Sequence, residues 1–502
     1  MQTTTILGLR RRRPGRALLI LLAATALIRC SGAELHIGAA CTDITPERPV
    51  ALDGQFNTRI STNIDNPLLA TAVAIEARDG GQSIDEAIFV SVDIVAIRKA
   101  LPPLIRGQLS AKLPAVDPRK LILTATHTHT APVTEEGKYE IPAEGVMQPA
   151  EYVESLAGKL AEVAARAWER RQPGGVSWGL GHTVVGHNRR AVYADGAAKM
   201  YGSTRQPDFR GIEGGEDHGL ELLFFWDGQR KLIASGINVA CPSQVAEHRS
   251  SVNADFWHDV RERLRAVITP DLCVLGWPGA AGDLSPHWLY RKAAEERMLR
   301  LRGLTRTQDI GRLISSEAIE IGELTRGDIR TAVPFGHRAV DLVLPARKVT
   351  EEEAAEARKE IEALKGTSGT SHRIAWYQAT MHRFQTQDAA PTCTAEVHVL
   401  RIGDIAIATC PFELFQDYGV QIKSRSKAEQ TLVIQLTGGS GRYLPTRRAV
   451  AGGGYSAVVE SGIVGPDGGQ VLVDRIVELI DRLWDSPEPH QSTTPGQGAG
   501  PT

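Results

Sequence analysis

The order of short apolar runs and longer amphipathic stretches predicts an α/β protein: a mixed-sheet core, flanking helices, and a helical insertion at about residues 349–386. Three observations carry that expectation. Residues 87–95 (AIFVSVDIV) and 120–125 are apolar runs of strand length. Residues 101–113 between them are helical, with Pro102 and Pro103 in the first turn, which makes a βαβ unit. Finally, Tyr152, Leu156, Leu160, Val163 and Ala167 recur at helical spacing within residues 148–171.

The remaining elements follow along the chain. Strands are expected at 220–226 and 231–240, a helix at 254–267 and a strand at 271–277. Residues 290–322 read as helical. The charged run 351–364 and a second helical piece near 374–384 form the insertion. Strands return at 396–402, 405–409 and 431–436, and a last helix covers about 469–483. Beyond Trp484 the chain is rich in Pro, Gly, Ser and Thr, which predicts disorder over 486–502.

Of the 502 residues, 42% are hydrophobic and 23% charged, an ordinary globular balance. Residues 1–33 read as a signal peptide: a basic region at 10–13 with Arg16, an apolar core at 17–28, and small residues Ser31-Gly32-Ala33 for cleavage. That core is too short to span a bilayer. Ordinary secretion is the favoured route, with twin-arginine export the alternative. Without its six arginines, 51 basic residues face 59 acidic ones, a net charge of −8. Nucleic acid is a poor partner for such a surface. Cys41, Cys241, Cys273, Cys393 and Cys410 remain; their odd number and wide spacing are not a disulfide framework, and the lack of CxxC excludes a four-cysteine zinc site.

The segment most suggestive of chemistry is Thr124-Ala125-Thr126-His127-Thr128-His129-Thr130, directly after a strand. On extended backbone, side chains two apart point the same way, so His127 and His129 are expected to converge on one metal ion or one substrate atom. Four further segments stand out: Gly279-Ala280-Ala281-Gly282-Asp283-Leu284-Ser285-Pro286-His287 after a strand; Cys410-Pro411-Phe412-Glu413, with Glu413 expected to open a helix; a glycine-rich stretch bearing Tyr443 and Tyr455; and Gly186-His187-Asn188-Arg189-Arg190.

Together these segments resemble the catalytic region of neutral, non-lysosomal ceramidases, zinc amidases that cut the N-acyl bond of ceramide. The likeness begins at Gly38-Ala39-Ala40-Cys41-Thr42-Asp43-Ile44-Thr45-Pro46 and runs to Tyr455. It implies a catalytic domain over 34–485 and a Zn2+ cofactor. His127, Glu413 and Tyr443 would be zinc ligands and His129 the acid/base. Arg189 and Ser285 would contact substrate, and Tyr455 would line the site. Nucleophilic water activated by the metal would attack an N-acylated small-molecule or lipid substrate, with transient contact to a membrane surface.

Two departures qualify the resemblance. The family's second zinc histidine is missing from Asn238-Val239-Ala240-Cys241-Pro242-Ser243, so Cys241 is the first replacement, with His248 or His258 as alternatives. Nothing after about residue 485 is expected to form the family's C-terminal immunoglobulin-like domain. The rival expectations are a hydrolase of a non-lipid amide or ester, and a non-catalytic or metal-weakened binding protein on the same fold.

Overall fold

In the computed structural model, which describes residues 32–367 and 369–485, two sheets pack face to face and helices cover their outer sides. Most of the expected leader and all of the expected disordered tail lie outside the described residues; Ala33 is described and opens the first strand. β1 (Ala33–Asp43), β2 (Leu69–Asp79) and β3 (Gln82–Val92) form an antiparallel meander. α1 (Leu101–Lys112) crosses over to β4 (Leu121–Ala125), which runs parallel to β3 with Val92 opposite Ala125. The βαβ unit read from the sequence is therefore present.

After α2 (Pro149–Glu169) come β5 (Gln172–His182), β6 (Gly219–Asp227) and β7 (Leu232–Val239), then α3 (Phe256–Val267) and β8 (Cys273–Pro278), parallel to β7. The spatial order is β8-β7-β6-β5-β1-β2-β3-β4. β5 meets β1 only through His36–Pro173 and Ile37–Gln172. The sheet bends at this short seam and its two halves approach. Ser91 Oγ on β3 donates to the Gly276 carbonyl on β8 at 2.8 Å, and the Phe89 and Trp277 rings lie 5.4 Å apart.

The region expected to be helical over 290–322 forms two helices, α4 (Lys292–Arg302) and α5 (Arg306–Thr325). Gly303 ends the first in the left-handed conformation at φ 65°, and Thr305 caps the second with Gln308 in a capping box. The second sheet contains β9 (Phe335–Pro345), β10 (Thr392–Ile402), β11 (Ile405–Thr409) and β12 (Gln430–Ile434). The expected insertion, α6 (Glu351–Leu364) and α7 (Ser371–Thr386), joins β9 to β10. α8 (Gln416–Arg425) joins β11 to β12, and α9 (Arg447–Gly452) and α10 (Pro466–Asp485) follow.

Period-two alternation explains the layers. On β2, Ala70, Ala72 and Ala74 belong to the core beneath α1 and α2, while Val73, Ile75 and Ala77 face the space between the sheets. On β11, Ile405 and Ile407 face that space and Ala406 and Ala408 face α8 and α10. Each fully buried Ile or Phe stabilises by about 1.5–3 kcal/mol.

Candidate active site

The carboxyl ends of β4, β7, β8, β11 and β12 converge on one edge of the fold, the usual ligand position in open α/β sheets. Backbone hydrogen bonds stitch the loops there together. Gly438 N–H donates to Leu123 O (2.9 Å), Gln435 N–H to Pro278 O (3.0 Å), Gly279 N–H to Val239 O (2.7 Å) and Gly282 N–H to Leu414 O (2.7 Å). Behind them, Arg261 of α3 makes a bidentate, buried pair with Asp93 (2.6 and 2.9 Å), and Asp93 also accepts from Thr126 Oγ1. This network anchors the start of the histidine segment.

His127 and His129 do converge, with Nε2 atoms 3.2 Å apart, but not by strand alternation. β4 ends at Ala125, and His127 takes a left-handed backbone at φ 67°. Its N–H donates to Ile94 O at 3.0 Å, and its Nδ1 lies 2.6 Å from Val95 O. That second bond places a proton on Nδ1 and turns Nε2 toward the cavity. His129 packs on Gly54, where a Cβ would lie 2.4 Å from the imidazole Cγ. Burial, and then the neighbouring His127, push the His129 pKa well below its usual value, so this ring is neutral.

Glu413 does not open a helix. It pairs with Tyr443 in two short parallel strands, Glu413–Leu414 and Tyr443–Leu444, and α8 begins only at Gln416. The reason is tertiary: Glu413 N–H is captured by Arg442 O at 2.9 Å. The register sets the carboxylate beside the phenol, and Glu413 Oε2 lies 3.6 Å from His127 Nε2. Burial and the Glu413 charge push the Tyr443 pKa well up.

Arg189 is 3% exposed rather than a solvated loop residue. Its Nη2 donates to Gly282 O (2.8 Å) and to Tyr443 Oη (3.1 Å). Burial alone would lower its pKa; Tyr443, Tyr201 and Glu413 outweigh that and keep it charged. The Tyr455 ring lies 5.5 Å from that of Tyr443, and burial pushes its pKa up to about 12. Ser285 is fully buried one layer back, accepting from Tyr201 Oη at 3.0 Å, and does not line the cavity that holds the histidines.

Cys241 is the residue the structure does not bring in. Its side chain is wholly buried in the cluster containing Phe256 and Trp257, and its Sγ contacts the Val185 and Pro242 carbonyls at 3.6 Å. Burial pushes its thiol pKa up, so it is an apolar core group and not a thiolate ligand. The alternatives fare no better: the His248 side chain is 79% exposed, and His258 sits in the first turn of α3.

In place of these, residues that no spacing singled out surround His129. Gln244 Nε2 lies 2.8 Å from His129 Nε2, and Glu247 Oε2 is 3.5 Å from His129 Nδ1. Burial disfavours the Glu247 carboxylate, but the His287 hydrogen bond at 3.0 Å and the nearby imidazoles outweigh it and lower its pKa to about 2. Asp53 is fully buried against Arg98 and Lys138, which overcome burial and hold it ionised. The resulting cavity is about 320 Å³ and is lined by His127, His129, Glu413, Tyr443 and Tyr455. Its mouth is walled by Phe56 and by Trp376 of α7, with ring centroids 5.8 Å apart.

The fold matches known structures. Neutral ceramidase from Pseudomonas aeruginosa superposes with a TM-score of 0.64 at 18% identity, over 92% of this chain and 77% of that one. The chain has the neutral ceramidase fold. A second structure, a ceramidase complexed with C2, gives a TM-score of 0.64 at 17% identity with the same coverage. No protein-family model and no curated protein matches the sequence.

The donor set fits a divalent cation in part. His127 Nε2 and a Glu413 oxygen face each other at 3.6 Å, and the Tyr443 oxygen adjoins the carboxylate. Among the described residues no group of three or more His, Cys, Asp or Glu side chains forms a metal cluster. A cation here would therefore rest on one imidazole, one carboxylate and one phenol.

Proposed function

We propose that this protein is a zinc-dependent amide hydrolase that cleaves the N-acyl bond of a ceramide-like or other N-acylated substrate, acting outside the cytoplasm. The observation that carries the reading is the opposed pair His127 Nε2 and Glu413 Oε2, with Tyr443 in register beside Glu413. These three would hold zinc, which when bound supplies Lewis acidity toward a carbonyl and acidifies water. His129, neutral and buried beside them, would take the proton of the attacking water at Nε2 and deliver it to the leaving nitrogen. Glu247 would orient the ring from the Nδ1 side. The Tyr455 hydroxyl would stabilise the oxyanion, a contribution of about 3–4 kcal/mol for a well-placed donor, while Arg189, behind the cavity wall, would hold the Tyr443 hydroxyl. Among the described residues no helix is long and apolar enough to cross a membrane, so contact with a lipid substrate would be at a surface.

Zinc analysis of purified protein, with a hydrolysis screen against N-acyl sphingoid bases and simple N-acyl amides with and without chelator, tests this. Chelator-sensitive turnover supports it; metal-free protein with undiminished turnover overturns it. A second reading, a non-catalytic binding protein, is favoured by the burial of Cys241 away from the site. It predicts ligand binding without turnover in every arm of that screen.

A further inference from the structure

Away from the site, two thiols meet. Cys41 lies on β1 opposite Thr71, and Cys273 opens β8. β7, β6 and β5 separate these strands within the sheet, yet the bend at the β1–β5 seam brings the two Sγ atoms to 3.0 Å, across 232 residues of sequence. That is closer than ordinary sulfur–sulfur contact. Cys273 is buried, whereas Cys41 is partly exposed. Cys41 and Cys273 both border a cleft of about 680 Å³ whose rim carries Arg170, Lys231 and Arg265, with Asp271 as the acidic member.

We propose that Cys41 and Cys273 close an intramolecular disulfide by exchange with an anionic low-molecular-weight disulfide received in this basic cleft. The Cys41 thiolate attacks one sulfur of the incoming disulfide, forming a mixed disulfide and expelling the first thiolate. Cys273, giving up its proton to solvent, then attacks the Cys41 sulfur and forms the internal bond, and the second thiolate of the oxidant departs. Two protein thiols are oxidised and one small disulfide is reduced to two thiols.

Exposure assigns these roles, Cys41 being partly open and Cys273 buried, and the electrostatics run the same way. The neighbouring Cys273 thiol, followed by the smaller effects of Thr71, Arg265 and Arg261, lowers the Cys41 pKa against the cost of burial. The same contact and burial raise that of Cys273. The reachable thiol is thus the nucleophile and the sheltered one resolves. The bond would tie the two halves of the bent sheet together at the start of β8, the end remote from the Ser285 loop.

The full-length protein is incubated with glutathione disulfide, and thiols are titrated under denaturing conditions. The expected result is loss of two thiols, a peptide pair joining Cys41 to Cys273 by mass spectrometry without reductant, and a higher melting temperature than the reduced protein. Cys273→Ser should retain a glutathione adduct on Cys41, and Cys41→Ser should leave Cys273 unmodified. An unchanged thiol count in the wild-type protein, or linkage through other cysteines, overturns the proposal whether or not the variants fold. So does equal modification of Cys273 in Cys41→Ser.

Discussion

Gly54→Ala is the substitution whose effect can be worked most directly from the structure. Gly54 has φ 99°, a conformation that disfavours any L side chain, and its added Cβ would lie 2.4 Å from His129 Cγ and 2.6 Å from Nδ1. Ordinary contact begins near 3.4 Å. The imidazole must move about 1 Å, a misplacement that costs on the order of 10²-fold in rate. If the loop yields instead, backbone strain of about 1–2 kcal/mol and overpacking of about 1–3 kcal/mol give a loss of roughly 2–5 kcal/mol in stability. Gly196→Ala is the control, because Gly196 has φ 84° and a Cβ added there would meet nothing within 4 Å, leaving the strain alone. Melting temperature and turnover of an N-acyl amide are measured for both variants. If Gly54→Ala melts with Gly196→Ala and turns over at the wild-type rate, the packing of His129 on Gly54 has no functional weight.

His129→Ala should lower turnover by about 10²-fold or more while keeping bound zinc, as expected for a lost acid/base; equal loss of both would make His129 a ligand. Cys241→Ser should leave zinc content unchanged and instead lower the unfolding midpoint, because the residue lies in the core beside Phe256 and Trp257. Glu247→Gln should reduce kcat more than it changes KM, since it would orient His129 without binding substrate; an effect confined to KM would contradict that role. Acid should destabilise the fold. Burial, then the facing imidazole, hold His337 well below its usual pKa, and burial lowers that of His398 against the opposing effect of Glu396. The unfolded chain binds these protons more readily, so stability is complete above about pH 6.5 and falls by up to about 1.4 kcal/mol per histidine for each pH unit below it. A denaturation midpoint that is flat between pH 7.5 and 5 would refute this.

Much of the fold was legible from local pattern. α1 and β4 lie where proline placement and the apolar run put them, and α6 matches its charged run over Glu351–Leu364, with Thr350 and Glu353 forming a capping box. These elements carry their own start and stop signals. The long meander strands β1 and β2 and strand β5 were not anticipated. β2 alternates between two buried faces, so small and apolar residues such as Ala72, Val73 and Ala74 leave no polar side to mark the period.

At the site, the sequence by itself determined which residue types were available: His127, His129, Arg189, Glu413, Tyr443 and Tyr455 are all brought to one edge. Only the tertiary structure decided their directions. Whether a side chain just past a strand faces the cavity or the core depends on how the backbone turns there, and distant partners set that turn. Ile94 and Val95 hold His127 at φ 67°, Arg442 draws Glu413 into a strand, and the turn after β7 sends Cys241 inward while Gln244 and Glu247 reach His129. No local spacing encodes those rotations, because the groups that impose them lie tens to more than a hundred residues away.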